Sequence, residues 1–211
     1  MEKNNLITKT TALAMTVTLS YIDEGDTVVD ATCGTGQDTV ALAEAVGKDG
    51  CVYAFDIQEE AVRRTEERLS GCGISNARVI RKSFVSMGEY VPEGSASAVV
   101  FNLGYLPGGD HSITTTAGET LEGLECALRA IRPGGVVTVV MYDGHEEGRA
   151  EKQRVMEWAE ALDPRQYHAA YVNMLNQRNH PPEILWVTKK KNGVQPGPGK
   201  FPAIFSLNLF R

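Results

Sequence analysis

The chain is poor in the patterns that staple, anchor or bind metal. Its four cysteines, Cys33, Cys51, Cys72 and Cys126, include no CxxC pair. That spacing argues against a disulfide frame or a zinc site; it fits reduced thiols in a cytoplasm, so a cytoplasmic protein without a metal is expected. No apolar run is long enough to span a bilayer, which excludes a helical membrane protein. The opening residues MEKNNLITKT lack the charged-then-apolar order of a signal peptide. A basic excess is missing too. Lys and Arg number 21 against 27 Asp and Glu, a formal charge of −6. This counts against indiscriminate nucleic-acid binding and leaves open a local basic strip, such as Arg63-Arg64 or Lys189-Lys190-Lys191. No internal repeat is visible, so a solenoid is not expected.

What is present is a 42% hydrophobic share in 211 residues, enough for one α/β core. A polar lead-in with helical stretches occupies residues 1–24. Short apolar runs then alternate with helical spacing. DTVVDAT, GCVYAFDI, ARVIRKSF, SASAVVFNLGY and VVTVVMY read as strands. QDTVALAEAVG, QEEAVRRTEERLSGCG, GETLEGLECALRAIRPGG and AEKQRVMEWAEAL read as helices, the third closed by Pro133-Gly134-Gly135. HAAYVNMLNQ and PEILWVTKK end the pattern as a strand pair. Strict alternation predicts an α/β, Rossmann-like doubly wound sheet, mostly parallel with an antiparallel C-terminal hairpin strand. Residues 1–190 form the expected domain. Residues 191–211, rich in Pro and Gly before an apolar end, read as an irregular or partner-contacting appendage.

The first chemical signal is VVDATCGTGQDT. Asp30 ends the first strand, and Gly34 and Gly36 make a G-x-G turn into a helix. Glycines allow close backbone approach to a ligand, and the helix N–H groups offer donors. Asp56 ends the second strand at the spacing of a ribose-binding carboxylate. A dinucleotide site usually adds a third glycine, but Thr39 stands there. S-adenosylmethionine (SAM) carries no pyrophosphate, and its cationic sulfonium and amino groups suit Asp30. A nicotinamide-dependent oxidoreductase is the weaker reading of the same turn. A non-catalytic interaction protein is a third, and a plain strand–turn–helix is the bland one. Cys33 reads as a small packing residue, not a nucleophile.

In such a sheet, ligands lie beyond the carboxyl ends of the strands. The fourth strand ends there in Asn102-Leu103-Gly104-Tyr105. After the fifth come Tyr142, Asp143 and His145. The loop LNQRNHPP adds Asn176, Gln177 and Asn179, whose amides suit a pyrimidine edge. It shares that edge if the penultimate strand is parallel to the rest. Local turn formation is the alternative for each of these residues.

DATCGTGQDT and FDIQ together resemble the first two motifs of class I SAM-dependent methyltransferases. The resemblance implies that Asp30, Ala31, Thr32, Cys33, Gly34 and Gly36 line the methionine part of SAM. Gln37 and Asp38 would stand at the helix start, with Asp56, Ile57 and Gln58 holding the ribose and flanking the adenine. Asn102-Leu103-Gly104-Tyr105 is similar to the Asn-Pro-Pro-Tyr motif of amino-methyltransferases, with Leu-Gly for Pro-Pro. There an amide oxygen and a backbone carbonyl orient the target amine. FNLGYLPGGDHSITT, YDGHEEG and LNQRNHPP resemble a bacterial methyltransferase family labelled as rRNA methylases, across about residues 20–190. Its characterised members methylate the amine of 5-aminomethyl-uridine, often 2-thiolated, at the tRNA wobble position. The resemblance therefore implies SAM as cofactor and the anticodon region of tRNA as partner. Catalytic work falls to Asn102, Tyr105, Asp110 and His145, with the proton acceptor undecided among Tyr105, Asp110, His111 and His145. Ser83 and Leu103, with Asn102, join the cofactor set. Gly104, His111, Tyr142, Asn176, Gln177 and Asn179 form the substrate set. An rRNA or a small amine is the alternative substrate. The sequence departs from the family in two places. TTALAMT has no histidine in the lead-in helix, and Ser83-Phe84 stands where a Ser/Gly-His pair is usual.

Overall fold

A computed structural model describes residues 9–104, 115–144, 146–177 and 181–191, without the side chain of Glu147. In chain order the elements are α1 (Thr10–Leu19), β1 (Thr27–Asp30), α2 (Gln37–Val46), β2 (Cys51–Phe55), α3 (Glu59–Gly71) and β3 (Ala77–Ile80). A 3₁₀ segment (Phe84–Glu89) leads into β4 (Ala96–Asn102), α4 (Ala117–Ala130), β5 (Ile131–Met141), α5 (Glu146–Ala161), β6 (Tyr167–Val172) and β7 (Glu183–Lys189). The predicted appendage, apart from Lys191, lies outside the described residues.

Seven strands form one sheet in the order β3-β2-β1-β4-β5-β7-β6. β1 pairs in parallel with both β2 and β4, so the winding reverses between β1 and β4 and opens a crevice at their carboxyl ends. β7 is antiparallel to β5 and to β6, which leaves β6 parallel to the rest. The end of β6 and the start of β7 therefore stand at the carboxyl edge. Among the described residues no helix is long and apolar enough to cross a membrane.

Period-two alternation builds two cores. Val28, Val52, Ala98, Val100 and Val136 face Leu42, Ala43 and Val46 of α2. Val29, Phe55, Val99, Phe101, Val137 and Val139 face the other way, with Leu124 and Ala127 of α4 and Val155 and Ala159 of α5. Each fully buried aliphatic or aromatic side chain contributes roughly 1.5–3 kcal/mol, which fixes the register of the central strands. Phe84 packs edge-on to Phe101, with ring centroids 5.4 Å apart. It fits because position 123 is glycine; a Cβ there would stand 2.4 Å from the Phe84 ring.

Three sequence readings need correction. Pro133-Gly134-Gly135 does not close a helix. α4 stops at Ala130 and the three residues lie inside β5, where pairing with β4 jumps from Ala96↔Ile131 to Ala98↔Val136. Gly134 (φ +85°) takes the bulge, and Gly135 lets the strand backbones approach. The third strand ends at Ile80, and Phe84 begins the 3₁₀ segment. Finally, the Lys189–Lys191 run stands at the amino edge of the sheet. Lys189 Nζ donates to the carbonyls of Leu128 and Ile131, and Lys190 Nζ to that of Pro164. Lys189 thereby satisfies backbone acceptors at the end of α4, on the side of the sheet away from the crevice.

Candidate active site

The glycine turn is held from beneath and from the side. Asp30 is fully buried; Thr39 Oγ1 donates to its Oδ2 at 2.6 Å and the Thr32 N–H to its Oδ1 at 3.2 Å. Thr39, the residue in place of a third glycine, thus gains a task that glycine could not perform. Gly36 has φ +76°, and a Cβ there would lie 2.9 Å from Thr65 Cα, so both backbone and packing demand glycine. The carbonyls of Gly34 and Thr35 accept from Thr65 Oγ1 and Arg68 Nε of α3. Cys33 is buried, and burial, followed by the charge of Asp30, pushes its thiol well above the usual range. It stays protonated and packs; Ala31 is buried beside it.

Asp56 leaves β2 with its Oδ2 accepting from the Gly34 N–H at 3.1 Å and its Oδ1 from the Gln58 N–H at 2.9 Å. Each carboxylate oxygen keeps a further acceptor site for a ligand hydroxyl. Ile57 is about half exposed on the lip, and Gln58 precedes α3. Gln37 is exposed at the start of α2. Burial raises the carboxyls of Asp30, Asp38 and Asp56, and Asp30, further raised by Asp38, reaches about 7. Three carboxylates around one turn repel one another. A cationic ligand relieves that repulsion, whereas a pyrophosphate would add to it. The residues present therefore fit SAM and oppose a dinucleotide.

Asn102, the last residue of β4, reaches the same crevice. Its N–H donates to Thr32 Oγ1 at 2.7 Å, and its Nδ2 donates to Asp38 Oδ2 in the first turn of α2. Its Oδ1 is buried and meets no donor among the described residues. Leu103 is buried in the core, which leaves only its backbone for a ligand. Gly104 and Thr115 exchange hydrogen bonds, 3.1 Å from the Gly104 N–H to Thr115 Oγ1 and 3.4 Å from the Thr115 N–H to the Gly104 carbonyl. Tyr142, partly exposed after β5, approaches Gly104, and its phenol is raised by burial and then by Asp38.

Other predicted residues stand farther apart. Ser83 caps the 3₁₀ segment and donates to Glu119 at the start of α4. Asn176 and Gln177 are exposed in the β6–β7 loop. Gln177 lines a polar cleft of about 220 Å³ with Asp143, Asn173, Met174, Pro181 and Glu183. Tyr105, Asp110, His111, His145 and Asn179 lie outside the described residues. Sequence reading missed the brace behind this cleft. Lys152 of α5 bridges Asp143 (3.0 Å) and Glu183 (2.5 Å), and Tyr171 OH donates to Glu183. A lysine on a charged helix face carries no local sign of such a bridge.

Comparisons with known proteins agree with this architecture. Residues 52–188 match the family described as "Putative rRNA methylase", and residues 1–87 match the protein-L-isoaspartate(D-aspartate) O-methyltransferase family. A tRNA (mnm(5)s(2)U34)-methyltransferase, chloroplastic, of Arabidopsis thaliana is 39% identical over 194 residues, 87% of this chain and 70% of that protein. The crystal structure of a "putative rRNA-methylase" from Clostridium thermocellum shares 37% identity at a TM-score of 0.83, covering 86% of this chain and 97% of that one. A methyltransferase structure from Streptococcus mutans in complex with SAH shares 31% identity at a TM-score of 0.78, covering 86% of this chain and 98% of that one.

Proposed function

The chain belongs to the rRNA methylase family of SAM-dependent methyltransferases, and from that premise we propose that it methylates the amine of 5-aminomethyl-uridine, with or without a 2-thio group, at the tRNA wobble position. SAM supplies an electrophilic methyl group on a sulfonium. The observation that carries the amine reading is Asn102 Oδ1, a buried acceptor without a donor among the described residues, at the end of β4. A buried carbonyl oxygen left unpaired costs about 1–3 kcal/mol, and an amine N–H recovers it. That hydrogen bond turns the nitrogen lone pair to one side, and displacement at a methyl carbon depends on such alignment. Asp56 is suited to accept from the ribose hydroxyls, and Asp30 and Asp38 to offset the cationic charge. Tyr142 and Gly104 form the wall on the acceptor side, and the cleft at Asn173 and Gln177 offers amides to a base edge. The Arabidopsis relative, named for tRNA position U34, supports tRNA and its anticodon region as partner. We infer a cytoplasmic setting from the four scattered cysteines, none in a CxxC pair.

An rRNA or a small amine is the second reading. The charge balance favours the small amine within it, since Arg63 and Arg64 are paired with Glu60 and Glu67 and the lysine run stands at the far edge. The test is nucleoside mass spectrometry of unmethylated tRNA incubated with the protein and SAM. Conversion of 5-aminomethyl-uridine to its methylamino form is expected. Methyl gain only on rRNA or on free amines would overturn the tRNA assignment.

A further inference from the structure

Asn102 can present either end of its amide to the crevice, and the two ends have opposite consequences for an amine. An outward Oδ1 accepts the amine N–H and leaves the nitrogen lone pair free. An outward Nδ2 donates to that lone pair and blocks it. The hydrogen-bond network around an amide decides its orientation. Here the deciding neighbour is Asp38 on α2, 64 residues earlier in the chain. An ionised carboxylate only accepts, so it takes Nδ2 and turns Oδ1 away from itself. The backbone of Asn102 is separately tied to Thr32 Oγ1, which leaves the side chain little other freedom.

We propose that Asp38 is a positioning residue, whose carboxylate sets the amide of Asn102 with its oxygen toward the acceptor amine and so makes the site selective for N–H donors. The inference rests on the role given to Asn102 above. It differs from the cofactor-side role that the family pattern implies for Asp38, because it acts through a substrate-side group.

Two measurements test it. In steady-state assays at saturating SAM on tRNA bearing 5-aminomethyl-uridine, Asp38→Leu, which removes the acceptor, is expected to lower kcat by about 100-fold while KM for RNA stays within about threefold. Combined with Asn102→Ala, it should cost little beyond Asn102→Ala alone, because the two residues act as a unit. Loss of SAH affinity with kcat retained at saturating SAM would overturn the proposal, as would independent, multiplying effects. The second measurement needs no RNA. The Asn102 side-chain amide protons, identified by their absence in Asn102→Ala, should exchange slowly with solvent in the wild-type protein and rapidly in Asp38→Leu, which offers no acceptor. Rapid exchange in the wild type would overturn the pairing. Slow exchange in a protein that methylates no tRNA would uphold the pairing and sink the substrate reading instead.

Discussion

The wall of the crevice between Asp30 and Gln58 and the wall formed by the ends of β4, β5 and β6 are held in different ways. The first comes from one stretch of chain, and much of its bracing is by backbone groups and one neighbouring helix. Asp56 receives two N–H groups, Asp30 receives Thr39, and α3 grips the turn carbonyls. The second is joined by single side chains, Asn102 to Asp38 and Lys152 to Asp143 and Glu183. Backbone bracing tolerates side-chain change but not a change of backbone shape. Side-chain bracing fails one residue at a time. Cofactor binding should thus be governed by turn geometry, and acceptor chemistry by individual groups.

Substitutions can break that contrast, beginning with the largest effect. Asn102→Ala is expected to lower kcat by about 10²–10³-fold while SAH affinity is kept; stopped-time methylation assays and calorimetry check the pair of values. Gly36→Ala should do the converse. It forces a side chain into positive φ and against Thr65, costing about 2–3 kcal/mol of stability and weakening SAM binding, read as a lower Tm and a higher Kd. Lys152→Met leaves two carboxylates facing each other without their cation, a loss of about 1–2 kcal/mol. KM for RNA should rise while SAH affinity holds; an equal loss of both would erase the distinction between the walls. Smallest is Arg63→Ala on the solvent face of α3, where Tm should not move despite two ion pairs.

The buried acids add a pH test of the turn. Asp30 titrates at about 7 when folded against 3.8 in the reference state, raised first by burial and then by Asp38. Between those values the folded chain holds a proton that the unfolded chain has lost. Stability of the unliganded protein should therefore fall as pH rises through that window. A cationic ligand prefers the ionised carboxylates, so the affinity ratio of SAM to SAH should grow over the same range, up to about tenfold between pH 5.5 and 7.5. Calorimetric titration of both ligands at each pH measures it. A flat ratio would mean that Asp30 does not sense the sulfonium.

Most of the fold was legible in the sequence because short apolar runs bounded by turn residues mark the strands and helical apolar spacing marks most of the helices between them. The exception at Pro133-Gly134-Gly135 is instructive. A proline-glycine cluster after a helix looks the same whether the chain turns away or bulges within a strand, and only pairing with β4 selects the bulge. The candidate site was legible where residue type and strand-end spacing mark it, as with Asp30, Gly34, Gly36 and Asp56. It was illegible where a side chain's role depends on a partner that no spacing marks. Ser83 carries no local sign that Glu119 will hold it, and Lys152 none that it will bridge two acids.

The primary structure alone set the class of fold, the G-x-G turn and the presence of an amide after the fourth strand, because these depend on periodicity and on local backbone freedom. Folding decided which way that amide faces, which lysines are committed to backbone acceptors at the far edge, and that Thr39 serves Asp30. Those outcomes depend on groups from nine to 64 residues apart in the chain meeting in the folded state, where an acceptor-only carboxylate or a single hydroxyl determines the polarity of its neighbour.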